Sequence, residues 1–242
     1  MTRSLTYPRR GLHGEVVHTI GVQIVTGKLK PGDPLPPEDE LITDLAVSRT
    51  VLREAVRVLA AKGLVEARPK TGTRVRPRAS WNVLDPDVLS WRVETPNGDL
   101  KLYEETTELR LAIEPLAARL AATRAHDDET AGIAEAYQAM EHGIADQAAY
   151  LAADLQFHGR ILAACHNELL DHLGGTLREV LRATFGLTTT PKGSRRRALP
   201  LHKAILDGIA ARDEDRAEHA ARTLIADTAA DIRRLTARKR RS

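Results

Sequence analysis

Cysteine occurs once in the 242 residues, at Cys165. That excludes an internal disulfide and a cysteine-rich zinc site, and it suits a reducing compartment. Aromatic side chains are scarce at 3%, but 42% of the residues are hydrophobic, enough to bury the core of one large or two modest domains. Long apolar runs are missing. The longest strongly apolar stretch without Asp, Glu, Lys or Arg, Val16–Gly27, falls short of the about 20 residues that span a bilayer. Met1–Gly11 carries Arg3, Arg9 and Arg10 with no apolar segment behind them, so a secretory signal is not expected there and the cytoplasm is the expected location. No nucleophile elbow, phosphate-binding glycine loop or HExxH motif occurs, and no enzymatic activity is expected.

What the chain does have is charge, unevenly placed. Residues 1–80 hold 14 Lys and Arg against 8 Asp and Glu, a net +6, whereas residues 81–242 hold 22 against 25, a net −3. A basic front part ahead of an acidic remainder suggests a polyanion-binding module carried by something else.

The hydrophobic period resolves the front part. Leu12, Val16, Ile20 and Ile24 predict an amphipathic helix ending near Gly27. A proline-rich break, Pro31–Pro37, precedes a short helix over Glu38–Leu45, with Glu38, Asp39 and Glu40 at its positive end. Ser48 is placed to cap a third helix reaching Lys62, whose stripe is Val51, Leu52, Ala55, Val56 and Leu59 and whose C′ residue is Gly63. Leu64–Arg68 and Thr73–Arg76 then flank Pro69–Gly72 as a hairpin with a basic turn. Two short helices, a tight turn and a hairpin make a winged helix-turn-helix. Arg49, Arg53 and Arg57, four residues apart, form one row on the third helix. With Ser48 and Thr50 at the helix start and Lys70, Thr71, Gly72, Thr73 and Arg74 in the wing, the row suits a helix laid against double-stranded DNA, although the arginines alone would also suit a solvated face.

The expected domains are residues 1–77, a linker 78–99, and an all-helical effector-binding and dimerisation domain 100–242. Trp81 and Trp91 in the linker are expected to pin the two domains together. From Leu100 onward the period is helical throughout, giving a mainly α fold with a bundle of six to seven helices. One begins at Asp99 and holds Leu102, Leu109, Leu111, Ile113, Leu116 and Leu120, with Pro115 expected to bend or interrupt it. Others are opened by Asp127, Asp146 and Asn167, the last running through Leu169, Leu173 and Leu177. A polar basic loop over Gly186–Arg197 precedes two final helices.

Within the bundle, Asp154 and His158 sit at i, i+4 among apolar neighbours, so both can point at one ion or ligand. A carboxylate buried there needs a metal, a cationic side chain or the histidine itself as partner. His202 and Arg110 are further candidates. Arg110 could equally pair with Glu104, Glu105 or Glu114, and His126, His142, His166, His172 and His219 lie beside no candidate ligand at a useful spacing. On residues alone two other readings stay open: a metal-dependent enzyme using an activated water at Asp154, His158 and His202, and a DNA-binding protein whose bundle only dimerises.

Taken together, Pro31-Gly-Asp-Pro-Leu-Pro-Pro-Glu-Asp-Glu-Leu, Val47-Ser-Arg-Thr-Val-Leu-Arg-Glu-Ala-Val-Arg-Val-Leu, Gly63-Leu-Val and Thr71-Gly-Thr resemble the GntR-type winged-helix transcription regulators. Glu108-Leu-Arg-Leu-Ala-Ile-Glu-Pro, Asp154-Leu-Gln-Phe-His158, Asn167-Glu-Leu-Leu and His202-Lys-Ala-Ile-Leu-Asp are similar to the helical FCD-type effector domain of the fatty-acid-regulator branch. Trp81-Asn-Val-Leu-Asp-Pro-Asp-Val-Leu-Ser-Trp91 looks like the linker of members that repress galactonate- or gluconate-like sugar-acid operons.

The resemblance implies a dimer on operator DNA, released when the sugar acid binds. Arg49, Thr50 and Arg53 would touch DNA from the recognition helix and Gly72 from the wing tip. Asp39 stands where the family often has a DNA-contacting arginine. The resemblance further implies a divalent metal, zinc or similar, on one Asp and three His. Asp154, His158 and His202 match three of these, but Leu224 replaces the last histidine. That incomplete set leaves room for direct recognition of the acid, with Arg110 on its carboxylate and Asp154, His158 and His202 on its hydroxyls.

Overall fold

Leu12–Val25 forms α1, and the fourfold recurrence of its apolar residues buries Val16, Ile20 and Ile24 while Leu12, at the helix start, stays 56% exposed. The computed structural model describes residues 11–68, 72–94, 100–185 and 193–239. They fall into two units, 1–98 and 99–242.

In the first unit, α2 (Glu38–Leu45) and α3 (Arg49–Ala61) are joined at Ala46, which adopts the left-handed conformation. Ser48 caps α3, its hydroxyl accepting from the Val51 amide at 3.3 Å. Leu52, Ala55 and Leu59 are buried, with Val51 and Val56 half-buried beside them. Strands β1 (Val65–Arg68) and β2 (Gly72–Val75) pair antiparallel in the register Val65 to Val75 and Arg68 to Gly72. The stretch before α2 adds to the same sheet edge: the Leu35 amide donates to the Thr73 carbonyl at 2.8 Å and the Val75 amide to the Asp33 carbonyl at 2.9 Å. Lys70 and Thr71 of the expected wing lie outside the described residues.

The expected linker is largely structured within this unit. A 3-10 turn (Arg78–Ser80) and α4 (Pro86–Val93, capped by Asp85) follow β2. Trp81 and Trp91, expected to join the two domains, both belong to the first unit's own core. The Trp91 ring lies against Gly21 of α1, where a Cβ would stand 2.5 Å from it. Lys62 at the end of α3 holds the segment by an ion triad with Asp85 (2.9 Å) and Asp87 (2.6 Å), all three side chains largely buried. Gly63, at φ +76, passes so close to the Ser80 carbonyl that a Cβ there would meet it at 2.3 Å.

The second unit has six helices among its described residues: α5 (Leu100–Arg124), α6 (Asp127–His142), α7 (Gln147–Ala164), α8 (Glu168–Phe185), α9 (Ser194–Ala210) and α10 (Glu214–Lys239). Local chemistry sets their starts. Asp146 accepts from the Ala148 amide at 2.8 Å, and Asn167 from the Leu169 amide at 3.1 Å. α5 runs unbroken through Pro115 and packs against α10, so the expected interruption is absent. α9 begins at Ser194, which takes the end of the expected basic loop into a helix. Phe157, Ile133, Met140, Ile205 and Ile209 centre the core, while Leu116, Leu169 and Leu173 from the predicted stripes remain exposed. No described helix is long and apolar enough to cross a membrane.

Candidate functional site

The first site lies at the start of α3. Ser48, Arg49, Thr50 and Arg53 are all exposed there, because the apolar stripe of α3 faces the core and leaves this side to solvent. The arginines are nevertheless paired. Arg49 Nη2 donates to Asp39 Oδ1 at 2.8 Å, with Glu38 3.8 Å from its Nη1, and Arg53 Nε donates to Glu38 Oε1 at 3.0 Å. Arg57 pairs with Glu54 of its own helix at 2.5 Å. The acids that stabilise the positive end of α2 thus neutralise two arginines of α3, a link across ten and fifteen residues that helical spacing does not announce. Asp39 thus takes up Arg49. Of the wing, Gly72 opens β2 at φ +77, and Arg74 donates to the Gly32 carbonyl at 2.9 Å instead of projecting free.

The second site is inside the bundle, where α5, α7 and α9 bring Arg110, Asp154, His158 and His202 together, each at most 8% exposed. Glu114, one turn after Arg110, joins them. Arg110 donates to its carboxylate from Nε at 2.5 Å and from Nη2 at 3.3 Å, and His158 Nδ1 lies 2.9 Å from Oε2. Of three acids within reach in sequence, burial selects Glu114, since two buried opposite charges must find each other. Burial opposes ionisation of Glu114, but the charges and hydrogen bonds of Arg110 and His158 outweigh it and hold the carboxyl well below the usual range. The carboxylate on Arg110 Nε and Nη2 is the protein's own, that of Glu114.

The histidine tautomers follow from their partners. His202 Nδ1 faces the Ala198 carbonyl at 2.9 Å, and a carbonyl only accepts, so Nδ1 carries the proton. His158 Nδ1 faces the Glu114 carboxylate, with the same consequence. In the neutral rings both Nε2 atoms then present lone pairs, and both face Asp154 Oδ1, at 3.0 Å for His202 and 3.9 Å for His158. The His202 contact is close but not aligned as a hydrogen bond. Burial raises the Asp154 carboxyl, yet the adjacent His202, the charge that His158 and His202 carry when protonated, and the charge of Arg110 lower it further, so it remains ionised. Two lone pairs and a carboxylate converging on one point call for a positive charge among them, which a proton on either Nε2 supplies as an ion pair with Asp154 and a metal ion would supply equally. Imidazoles whose far nitrogens are held by a carboxylate and a carbonyl have the usual outer support of metal ligands. The three residues fit a divalent metal.

A fourth protein donor is not supplied where the family pattern would have it: Leu224 is buried and apolar, and His219 is exposed. Three ligands leave coordination open to water or a ligand oxygen. Phe157 packs edge-on against both rings, at 5.6 Å from His158 and 5.3 Å from His202, fixing their planes. A cavity of about 10 Å³ beside Glu114 and His158 is otherwise walled by Ala117, Ala118, Ile161, Leu162, Ile205 and Ala221, room for about one water.

Sequence spacing missed two features. Glu114 was only one of several possible partners for Arg110, although its i+4 position was the available signal. His126 and His166 do acquire a neighbour: His166 Nε2 lies 2.9 Å from Glu129, which also accepts from the His126 amide at 2.8 Å, so this cluster serves as the cap of α6.

The family described as "Bacterial regulatory proteins, gntR family" matches residues 12–75, and the "FCD domain" matches residues 105–227. The "Galactonate operon transcriptional repressor" of Escherichia coli (strain K12) is 39% identical over 222 residues, 91% of this chain and 96% of that protein. The "HTH-type transcriptional regulator LutR" of Bacillus subtilis (strain 168) is 32% identical over 202 residues, 81% of this chain and 90% of that one. A solved structure titled "Lar controls the expression of the Listeria monocytogenes agr system and mediates virulence" superposes with TM-score 0.67 at 18% identity, over 95% of this chain and all of that one, a likeness of fold.

Proposed function

Since the chain belongs to the gntR family of bacterial regulatory proteins and carries an FCD domain, we propose that it represses a sugar-acid catabolic operon, of galactonate or gluconate type, and leaves its operator when the acid binds. The observation that carries this reading is the 39% identity to the galactonate operon repressor along 91% of the chain. The family and the relatives are regulators, so the enzyme reading is set aside.

In this reading a cytoplasmic homodimer binds a short palindrome. Ser48, Arg49, Thr50 and Arg53 meet phosphates and base edges from α3, while Lys70, Thr71 and Gly72 follow from the wing. On DNA, Arg49 and Arg53 exchange Asp39 and Glu38 for phosphates or guanine edges. The domains are 1–77 for DNA and 100–242 for the effector, with 78–99 between them.

The effector's polar groups meet Asp154, His158 and His202, and Arg110 acts on them through Glu114. A divalent metal held by Asp154, His158 and His202 would supply positive charge and an open position for a ligand oxygen. Coupling between the two sites need only be worth about 1–3 kcal/mol.

A gel-shift titration on the DNA upstream of the protein's own gene, with and without galactonate and gluconate at millimolar levels, tests the proposal. Release by one acid is the expected result. A shift that no acid alters would overturn the sugar-acid reading and leave the family's DNA binding in place.

A further inference from the structure

Outside the buried cluster, a second group of metal-ligating side chains stands on the surface of the second unit. His126 precedes α6, Glu129 lies in the first turn of α6, and His166 lies in the connection from α7 to α8. The two imidazole rings are 5.1 Å apart between centroids, with their planes at 64°. His166 Nε2 is 2.9 Å from Glu129 Oε2, and one ligand atom from each of the three residues lies within 4.8 Å of the other two. Both histidines are exposed and Glu129 is half-buried.

The cap of α6 accounts for only one of these side chains. Glu129 Oε2 accepts from the His126 amide at 2.8 Å, a bond that needs neither imidazole. The rings add two nitrogen ligands within reach of a carboxylate that stays ionised, because the His126 amide holds it below its ordinary range. Two metal bonds of about 2.1 Å at a right angle span about 3.0 Å. The 2.9 Å between His166 Nε2 and Glu129 Oε2 is therefore also the spacing of adjacent ligands on one ion.

The backbone beside both histidines is held by arginines. Arg124 Nη1 donates to the Cys165 carbonyl at 3.2 Å. Arg212, between α9 and α10, donates to the Ala125 carbonyl and, at 2.9 Å, to Asp127. The ligand residues are thus brought together by contacts that do not use their own side chains. The positive end of α6 opposes a cation, but Asp127, Asp128 and Glu129 in its first turn offset that.

We propose that His126, Glu129 and His166 form a second, surface site for a divalent ion of the zinc, nickel or copper type, tying the connection before α6 to the connection after α7. Two imidazoles and one carboxylate suit such ions, whereas magnesium and calcium take oxygen ligands. As the ion enters, the proton between His166 Nε2 and Glu129 leaves, and water fills the remaining positions. Its ligands stay partly solvated, so the site fills at higher metal concentration than the buried Asp154, His158 and His202, and it does not depend on that set taking a metal.

Equilibrium dialysis of the metal-stripped full chain against zinc, carried to saturation, tests this beside the double variant His126→Asn/His166→Asn. Asparagine caps helices well and accepts the left-handed backbone that His166 adopts at φ +48, so the variant keeps the fold, which the melting temperature without metal checks. The unaltered protein should take up one zinc ion more than the double variant, and magnesium should not compete for it. The double variant should keep whatever the buried set binds. With cobalt in place of zinc, the visible absorption that develops at the higher metal concentrations should be lost in the variant. Equal zinc uptake by the two proteins overturns the proposal, as does an extra equivalent that magnesium displaces or that the double variant retains.

Discussion

Replacing Glu114 by Gln removes the carboxylate that Arg110 and His158 both contact directly. Arg110 is 5% exposed and sends two hydrogen bonds to this carboxylate. His158 is 8% exposed and sends a third. Breaking a buried pair by altering one partner costs about 3–5 kcal/mol, mostly because the remaining charge is stranded. Gln keeps one acceptor oxygen, so the lower end of that range, about 3 kcal/mol, is expected for Glu114→Gln in urea denaturation followed on the second unit. The double variant Arg110→Met/Glu114→Gln strands no guanidinium and should be less destabilised than Glu114→Gln alone.

The effect of pH has a definite sign. The folded Glu114 carboxyl titrates below its ordinary value of 4.5, so its contribution is full above about pH 4.5 and is lost as pH falls toward the folded value. The gap between the unaltered protein and Glu114→Gln should therefore be constant near neutrality and shrink below pH 4.5. A loss under about 1 kcal/mol for Glu114→Gln, or a double variant no more stable than the single one, would refute the claim that buried charge organises this site.

Four further outcomes are expected. Arg53→Ala should weaken operator binding by about 1–3 kcal/mol, as for a lost bidentate base contact, while aldonate-induced stabilisation in thermal melts persists; loss of both would contradict two separable modules. Asp39→Asn releases Arg49, and because an exposed ion pair is worth about 0.2–1 kcal/mol, affinity for nonspecific DNA should rise up to about fivefold in fluorescence titrations, whereas unchanged or lower affinity would deny that Asp39 competes with phosphate. Gly63→Ala must adopt a left-handed conformation costing about 1–2 kcal/mol and also collides with the Ser80 carbonyl; wild-type stability of the first unit would mean that residues 78–94 do not depend on this close approach. Zinc added to metal-stripped protein at 100 times its dissociation constant should stabilise the second unit by about 2.7 kcal/mol, and His158→Ala should remove the effect; no response to zinc, cobalt, nickel or manganese would rule against a metal.

What could be read in the sequence alone was local. The apolar period of α1 and α3, the hydroxyl of Ser48, the carboxylate of Asp146, the amide of Asn167 and the glycine at position 63 each satisfy or end a helix through atoms a few residues away, so a short stretch of chain contains the whole cause. The Asp154 and His158 pair was legible for the same reason, being one turn of one helix.

The tertiary structure decided everything that depends on which helices become neighbours. It brought His202 to Asp154 across about fifty residues, chose Glu114 for Arg110 and turned it also toward His158, and set Glu38 and Asp39 of α2 against the arginines of α3. It placed Trp81 and Trp91 in the first unit's core and drew Ser194 and Arg195 into α9. The physical reason is that a buried charge or lone pair, costly in isolation, takes its partner from whatever packing brings near, and packing is a property of the whole chain.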